Sequence, residues 1–129
     1  MKKLLVIAIV SLFFGPVVIH ADENQRIAVA SIGKTAKAPV CNQAARSPSY
    51  IVFDGTGRLT EVLDNPYKDA RGGAGPSVAD FLAQRGVTVL IAGSFGPKMI
   101  HALENNNINH LQFEGTAGDA VKMALEGSQ

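Results

Sequence analysis

Only one cysteine and three histidines occur in the 129 residues. A single thiol, Cys41, cannot close a disulfide within its own chain, so it is an inert packed side chain, a bond to another molecule, or a ligand. His20, His101 and His110 are too few for a Ser/His/Asp hydrolase arrangement once His20 is assigned to a leader. Clusters of Lys and Arg are missing too, which excludes nucleic acid as a partner, because polyanion binding needs many phosphate contacts. Neither G-x-x-x-x-G-K-[ST] nor G-x-G-x-x-G occurs, so the glycines form no nucleotide fingerprint. The longest apolar run, Leu4 to Ile19, has 16 residues and falls short of the roughly 20 that a spanning helix needs.

That run follows Lys2 and Lys3, is broken by Gly15-Pro16, and gives way at Ala21 to the polar Asp22-Glu23-Asn24-Gln25. The pattern is that of a secretory signal peptide cut after Ala21, with an N-terminal membrane anchor as the alternative. The expected domain organisation is a signal over residues 1–21 and one binding domain over 22–129. Removing Lys2 and Lys3 from the 12 basic residues leaves 10 against 11 acidic ones, a mature charge of about −1. The expected location is the periplasm or another exported compartment, with no stable membrane insertion once the signal is gone. A composition 47% apolar supports one small globular core.

After the leader, short strands and helices alternate. Arg26 to Ile32 reads as a buried strand, and residues 33–48 as a long loop without a period. Two strands flank Gly55-Thr56-Gly57, with Asp54-Gly55 as a hairpin signal. Residues 66–75 form a second irregular loop, and Pro76 suits the first turn of a helix stopped at Gly86. Val87 to Gly93 is continuously apolar, like a central parallel strand. A second Pro-initiated helix runs from Pro97 to about Asn105, with Ile100 and Leu103 inward. A short strand over residues 108–113 and a last helix with Thr116 and Asp119 at capping-box-like spacing complete the order β-β-β-α-β-α-β-α. Right-handed crossovers then give a five-stranded mixed sheet of order 3-2-1-4-5. Its switch point lies between the first and fourth strands, where open α/β sheets place ligands. Cys41 falls on a loop at that rim.

The stretches "IAVAS", "SPSYIVFD", "GGAGPSVADFLAQRGVTVLIAGSFGPKMIHALENNNI" and "GTAGDAVKMAL", spanning about Ile27 to Leu125, resemble the dinitrogenase iron–molybdenum cofactor biosynthesis family of NifX, NafY and orange-protein type. The resemblance implies a ribonuclease-H-like three-layer α/β fold and non-catalytic binding of a metal–sulfur cluster or its precursor for storage or delivery. It also implies a donor or acceptor protein as partner. Two departures stand out: the family's members begin directly at the first strand in the cytoplasm, and their first long loop commonly carries a His where Gln43 stands in "CNQAARSP".

Cys41 is the expected anchoring ligand for copper, iron or a molybdenum-containing cluster, because a thiolate suits soft metals. Met99 and His101 are its candidate partners, although residues two apart on a helix point in different directions; the competing readings are a core methionine and a solvated histidine. His110, within the last strand, is a weaker candidate. A lone rim ligand also makes a metal-bridged homodimer conceivable. Gly72, Gly73 and Gly75 in one loop, and Gly93, Ser94, Gly96 and Lys98 in the other, are expected to offer backbone N–H groups and charge to an anion. The competing reading is that these glycines only permit tight turns. A two-metal nuclease is not expected, since Ile27-Ala28-Val29-Ala30-Ser31 carries no acid. The alternatives to a metal–sulfur carrier are a metal-free oxyanion- or protein-binding module and a thiol-redox protein acting through Cys41.

Overall fold

The computed structural model describes residues 24–127; the expected signal peptide lies outside them. The strands are β1 (Arg26–Ser31), β2 (Ser49–Asp54), β3 (Leu59–Asp64), β4 (Val89–Ala92) and β5 (Asn109–Gln112), and the helices are α1 (Ala74–Ala83), α2 (Pro97–Asn105) and α3 (Ala117–Gly127). They form one mixed sheet of order β3-β2-β1-β4-β5. β1 pairs antiparallel with β2 and parallel with β4, and β4 pairs parallel with β5. The expected fold and strand order are therefore the observed ones.

Period-two alternation in the continuously apolar strands divides the core into two layers. Ala28, Ala30, Tyr50, Val52, Leu90 and Ala92 face α1 and α2 and pack with Val78, Leu82, Met99 and Leu103. Ile27, Val29, Ile51, Phe53, Val89 and Ile91 face α3 and pack with Ala117, Ala120 and Val121. Both α1 and α2 end in paired C-terminal hydrogen bonds around a left-handed residue: Gly86, with φ 76°, and Asn107, with φ 59°. The inward stripe of α2 differs from the expected Ile100 and Leu103. Met99 and Leu103 are the buried pair, and Ile100 is half-buried, because a four-residue spacing matches the helical repeat better here than three.

Candidate functional site at the carboxyl end of the sheet

The loop of residues 33–48 does not leave the switch point open. Its middle enters the space between the ends of β1 and β4 as a short extended wedge. Val40 bridges Ser31, Cys41 N–H donates to the Ala30 carbonyl at 2.7 Å, and Gly93 N–H donates to the Cys41 carbonyl at 2.9 Å. Ser94 N–H and its hydroxyl both donate to the Asn42 carbonyl, at 2.6 and 2.9 Å, and Ala44 N–H returns to Ser94 at 3.1 Å. A Cβ on Gly93 would come within 2.8 Å of the Asn42 backbone, so glycine is required by the wedge itself. Gly93 and Ser94 were expected to offer free N–H groups to an anion. They spend those groups on the chain's own carbonyls, because the wedge reaches them first.

Cys41 is half-buried on the wedge and packs against the core layer beneath α1 and α2. Its Sγ lies 3.6 Å from the Gln43 carbonyl. Burial, with a smaller effect from Cys41, pushes the Tyr50 phenol above its ordinary range, so Tyr50 stays a donor and holds the Ala44 carbonyl at 2.5 Å.

The other glycine loop and the start of α2 build something different. Gly75 sits so close to Met99 that a Cβ would meet the Met99 Cβ at 2.9 Å and its Cα at 3.2 Å, which brings the first turns of α1 and α2 into backbone contact. Their N-termini open on one cleft of about 420 Å³, lined by Ala45, Arg46, Ala74, Gly75, Gly96, Pro97, Lys98 and Met99. Neither helix has a side-chain cap, and neither has an acidic residue in its first turn. The N–H groups of Ala74, Gly75, Lys98 and Met99 lack backbone acceptors in their own helices, as first-turn N–H groups do. The positive ends of two helix dipoles thus open on one mainly apolar cleft, with Arg46 and Lys98 among its lining residues. Gly72 and Gly73 lie exposed ahead of α1, and Gly73 adopts φ 69° at the helix entry.

The sequence-predicted ligands are not gathered as expected. Met99 is 2% exposed and belongs to the core, since its helical position points it at Gly75. His101, some 200° further round the helix, is exposed on a groove with Pro76, Pro97, Lys98, Ala102 and Asn105. The Met99 and His101 side chains therefore cannot converge on one ion with Cys41. His110 lies against Phe95 in a tilted ring contact, centroids 5.2 Å apart, away from the cleft lining. Among the described residues, no group of three or more His, Cys, Asp or Glu side chains could hold a metal ion. Arg46 was not singled out by sequence; the nearest signal was its place beside Ser47-Pro48 in the long loop. A larger groove of about 730 Å³ lies at the opposite end of the sheet, between α3 and β5, and holds none of the expected anion-binding residues.

Residues 25–127 match the model of the family described as dinitrogenase iron-molybdenum cofactor. The chain belongs to that family. It is similar to the apo form of the orange protein from Desulfovibrio gigas, at 34% identity and a TM-score of 0.77, over 81% of this chain and 89% of that one. It is also similar to a Thermotoga protein of the DUF35 family with a provisional NifB label, at 32% identity and a TM-score of 0.69, over 81% and 90% of the two chains. A Methanocaldococcus jannaschii protein provisionally termed a dinitrogenase shares the fold, at 12% identity and a TM-score of 0.56, over 81% of this chain and 91% of that one. No protein of curated function matches the chain.

Proposed function

We propose that this chain is a non-catalytic carrier of an anionic metal–sulfur unit, held at the carboxyl end of the sheet in the cleft between α1 and α2. The observation that carries the reading is the convergence of two uncapped helix N-termini with Arg46 and Lys98. Membership of the iron–molybdenum cofactor family supports a sulfide-bearing cargo over a simple oxyanion. Delivery between a donor and an acceptor protein is the matching role.

Magnitudes separate two parts of the site. Each helix terminus or exposed cation contributes on the order of 1 kcal/mol to an anion, so four of them together reach about millimolar affinity. Charge of that strength captures a cargo without retaining it. Firmer retention needs a coordinate bond; Cys41, the one thiol, is half-buried on the wedge and is not among the residues lining the cleft, so it ligates only a cargo that extends from the cleft to the wedge. The assignment is thus electrostatic capture in the cleft and soft ligation by Cys41. Met99 supports the cleft floor, and His101 takes no part.

The export signal belongs to the same proposal. Cleavage after Ala21 leaves every described residue in the mature chain, with four residues, 22–25, ahead of β1 at Arg26. The carrier then works outside the cytoplasm, with a different donor and acceptor from those of a cytoplasmic family member.

Titration with tetrathiomolybdate, together with metal analysis of protein from the exported fraction, tests the reading. Wild type is expected to bind the probe, Lys98→Glu to bind it about tenfold more weakly, and Cys41→Ser to bind it in solution yet lose it on desalting. Absence of probe binding by wild type, or equal binding by Lys98→Glu, would overturn the assignment.

A further inference from the structure

Beneath the cleft lies a buried polar cluster that the binding chemistry does not use directly. Asn65, 5% exposed, follows β3 and reaches across to the long first loop. Its Nδ2 donates to the carbonyls of Ala45 and Ser47, both at 2.9 Å, and approaches the Tyr50 hydroxyl at 3.2 Å. Its Oδ1 accepts from Tyr67 N–H at 2.8 Å. The two carbonyls it holds flank Arg46. The Arg46 guanidinium in turn donates to the carbonyls of Lys68, at 3.1 Å, and Ala70, in the turn whose start Asn65 caps. One amide therefore closes a ring through both rim loops: Asn65 to the backbone on either side of Arg46, Arg46 to the second loop, and that loop back to Asn65.

We infer that Asn65 is the positioning residue of the site, fixing where the Arg46 charge stands at the cleft. The chemistry requires an amide. A carboxylate could accept from Tyr67 but would face the Ala45 and Ser47 carbonyls with like polarity, and an apolar side chain would leave three buried backbone groups unpaired. Ser47 reinforces the same loop, its hydroxyl lying 3.1 Å from the Ser31 carbonyl and 2.7 Å from that of Ser49. Asn65 holds the backbone on either side of Arg46 and the Tyr67 N–H that opens the second loop, and the guanidinium is tied to the Lys68 and Ala70 carbonyls of that loop, so Arg46 has little rotamer freedom to lose when cargo arrives. The inference rests on the proposed cleft for its meaning, but its structural content can be read without cargo.

Two readouts test it. In limited trypsin digestion, cleavage after Arg46 is expected to accelerate about tenfold in Asn65→Ser, while cleavage after Arg58 and Lys122 keeps the wild-type rate. A uniform acceleration at all three bonds, or no change after Arg46, would overturn a positioning role. Where Asn65→Ser does not fold, Asn65→Asp, which keeps the volume and the acceptor for Tyr67, is read in the same way. With tetrathiomolybdate, the Arg46→Ala and Asn65→Ser losses should not add: the double variant should match Arg46→Ala alone, whereas full additivity would show that Asn65 does not act through Arg46. Failure of wild type to bind the probe would sink the carrier reading and leave the trypsin comparison to decide this one.

Discussion

The three helices begin at the same end of the sheet, yet they begin differently. The first turn of α3 is satisfied within the chain: Ala117 and Gly118 N–H donate to the Ala38 and Ala36 carbonyls of the long loop at 2.9 and 2.8 Å, Asp119 N–H donates to the Thr116 hydroxyl at 3.2 Å, and Asp119 adds negative charge near the dipole's positive end. α1 and α2 start from glycine, with no side-chain cap and no acid. Glycine is an acceptable N-cap, so the missing side-chain caps forgo only about a few tenths of a kcal/mol each. The difference is explained if α1 and α2 face a ligand that supplies the missing negative charge, while α3 faces none. α3 is thus an internal control for the other two.

The contact between α1 and α2 is where that contrast breaks most readily. Gly75→Ala would gain up to about 1 kcal/mol of helix propensity, but its Cβ would stand 2.9 Å from that of Met99, with backbone just behind. The clash wins, and we expect a net loss of about 1–3 kcal/mol in denaturant unfolding together with loss of probe binding. Gly72→Ala, with nothing within 4 Å of its Cβ, should stay within about 0.5 kcal/mol of wild type. Equal effects at the two glycines would refute the close helix approach.

Thr116→Ala sharpens the comparison from the other side. Loss of this cap should cost about 1 kcal/mol in thermal unfolding and leave tetrathiomolybdate affinity unchanged. A fall in affinity would mean that α3 also belongs to the binding end.

The smallest effect lies farthest from the cleft. The Thr56 hydroxyl, then the Arg58 N–H, hold the Asp54 carboxyl below its ordinary value. A lowered value stabilises the hairpin above the unfolded carboxyl's titration, near pH 3.9, and that contribution disappears as pH falls through the folded value. Protection of the Thr56 and Arg58 amides, taken relative to their intrinsic exchange rates, should fall below about pH 4 in wild type and lose that pH dependence in Asp54→Asn. Probe binding at neutral pH should be the same in both.

Most of the fold was legible because it rests on periodicity and punctuation. Apolar runs gave the strands, Pro76 and Pro97 the helix starts, Gly86 and the Asn105–Asn107 run the helix ends, and crossover handedness the strand order. The site was legible only in part. The place of Gly75, Gly96 and Lys98 at the helix starts that line the cleft was legible because helix starts are written in sequence. The wedge of residues 40–44 was not, since an aperiodic loop pairs with strands through backbone groups that every residue possesses. Gly93 and Ser94 were misassigned for that reason. Arg46 and Asn65 escaped notice because their roles depend on carbonyls 18 to 24 residues away in the chain.

The central claim, that the helix starts are left bare for an anion, is tested most directly at Gly96. Its backbone is already extended, with φ −75° and ψ 156°, and a Cβ there would meet nothing within 4 Å. Gly96→Asp therefore places a carboxylate cap on α2 without strain. Melting and tetrathiomolybdate titration of this one variant should move in opposite directions: stability up by about 0.5–1 kcal/mol and affinity down about tenfold. A variant that gains stability and binds the probe as tightly as wild type would contradict the account.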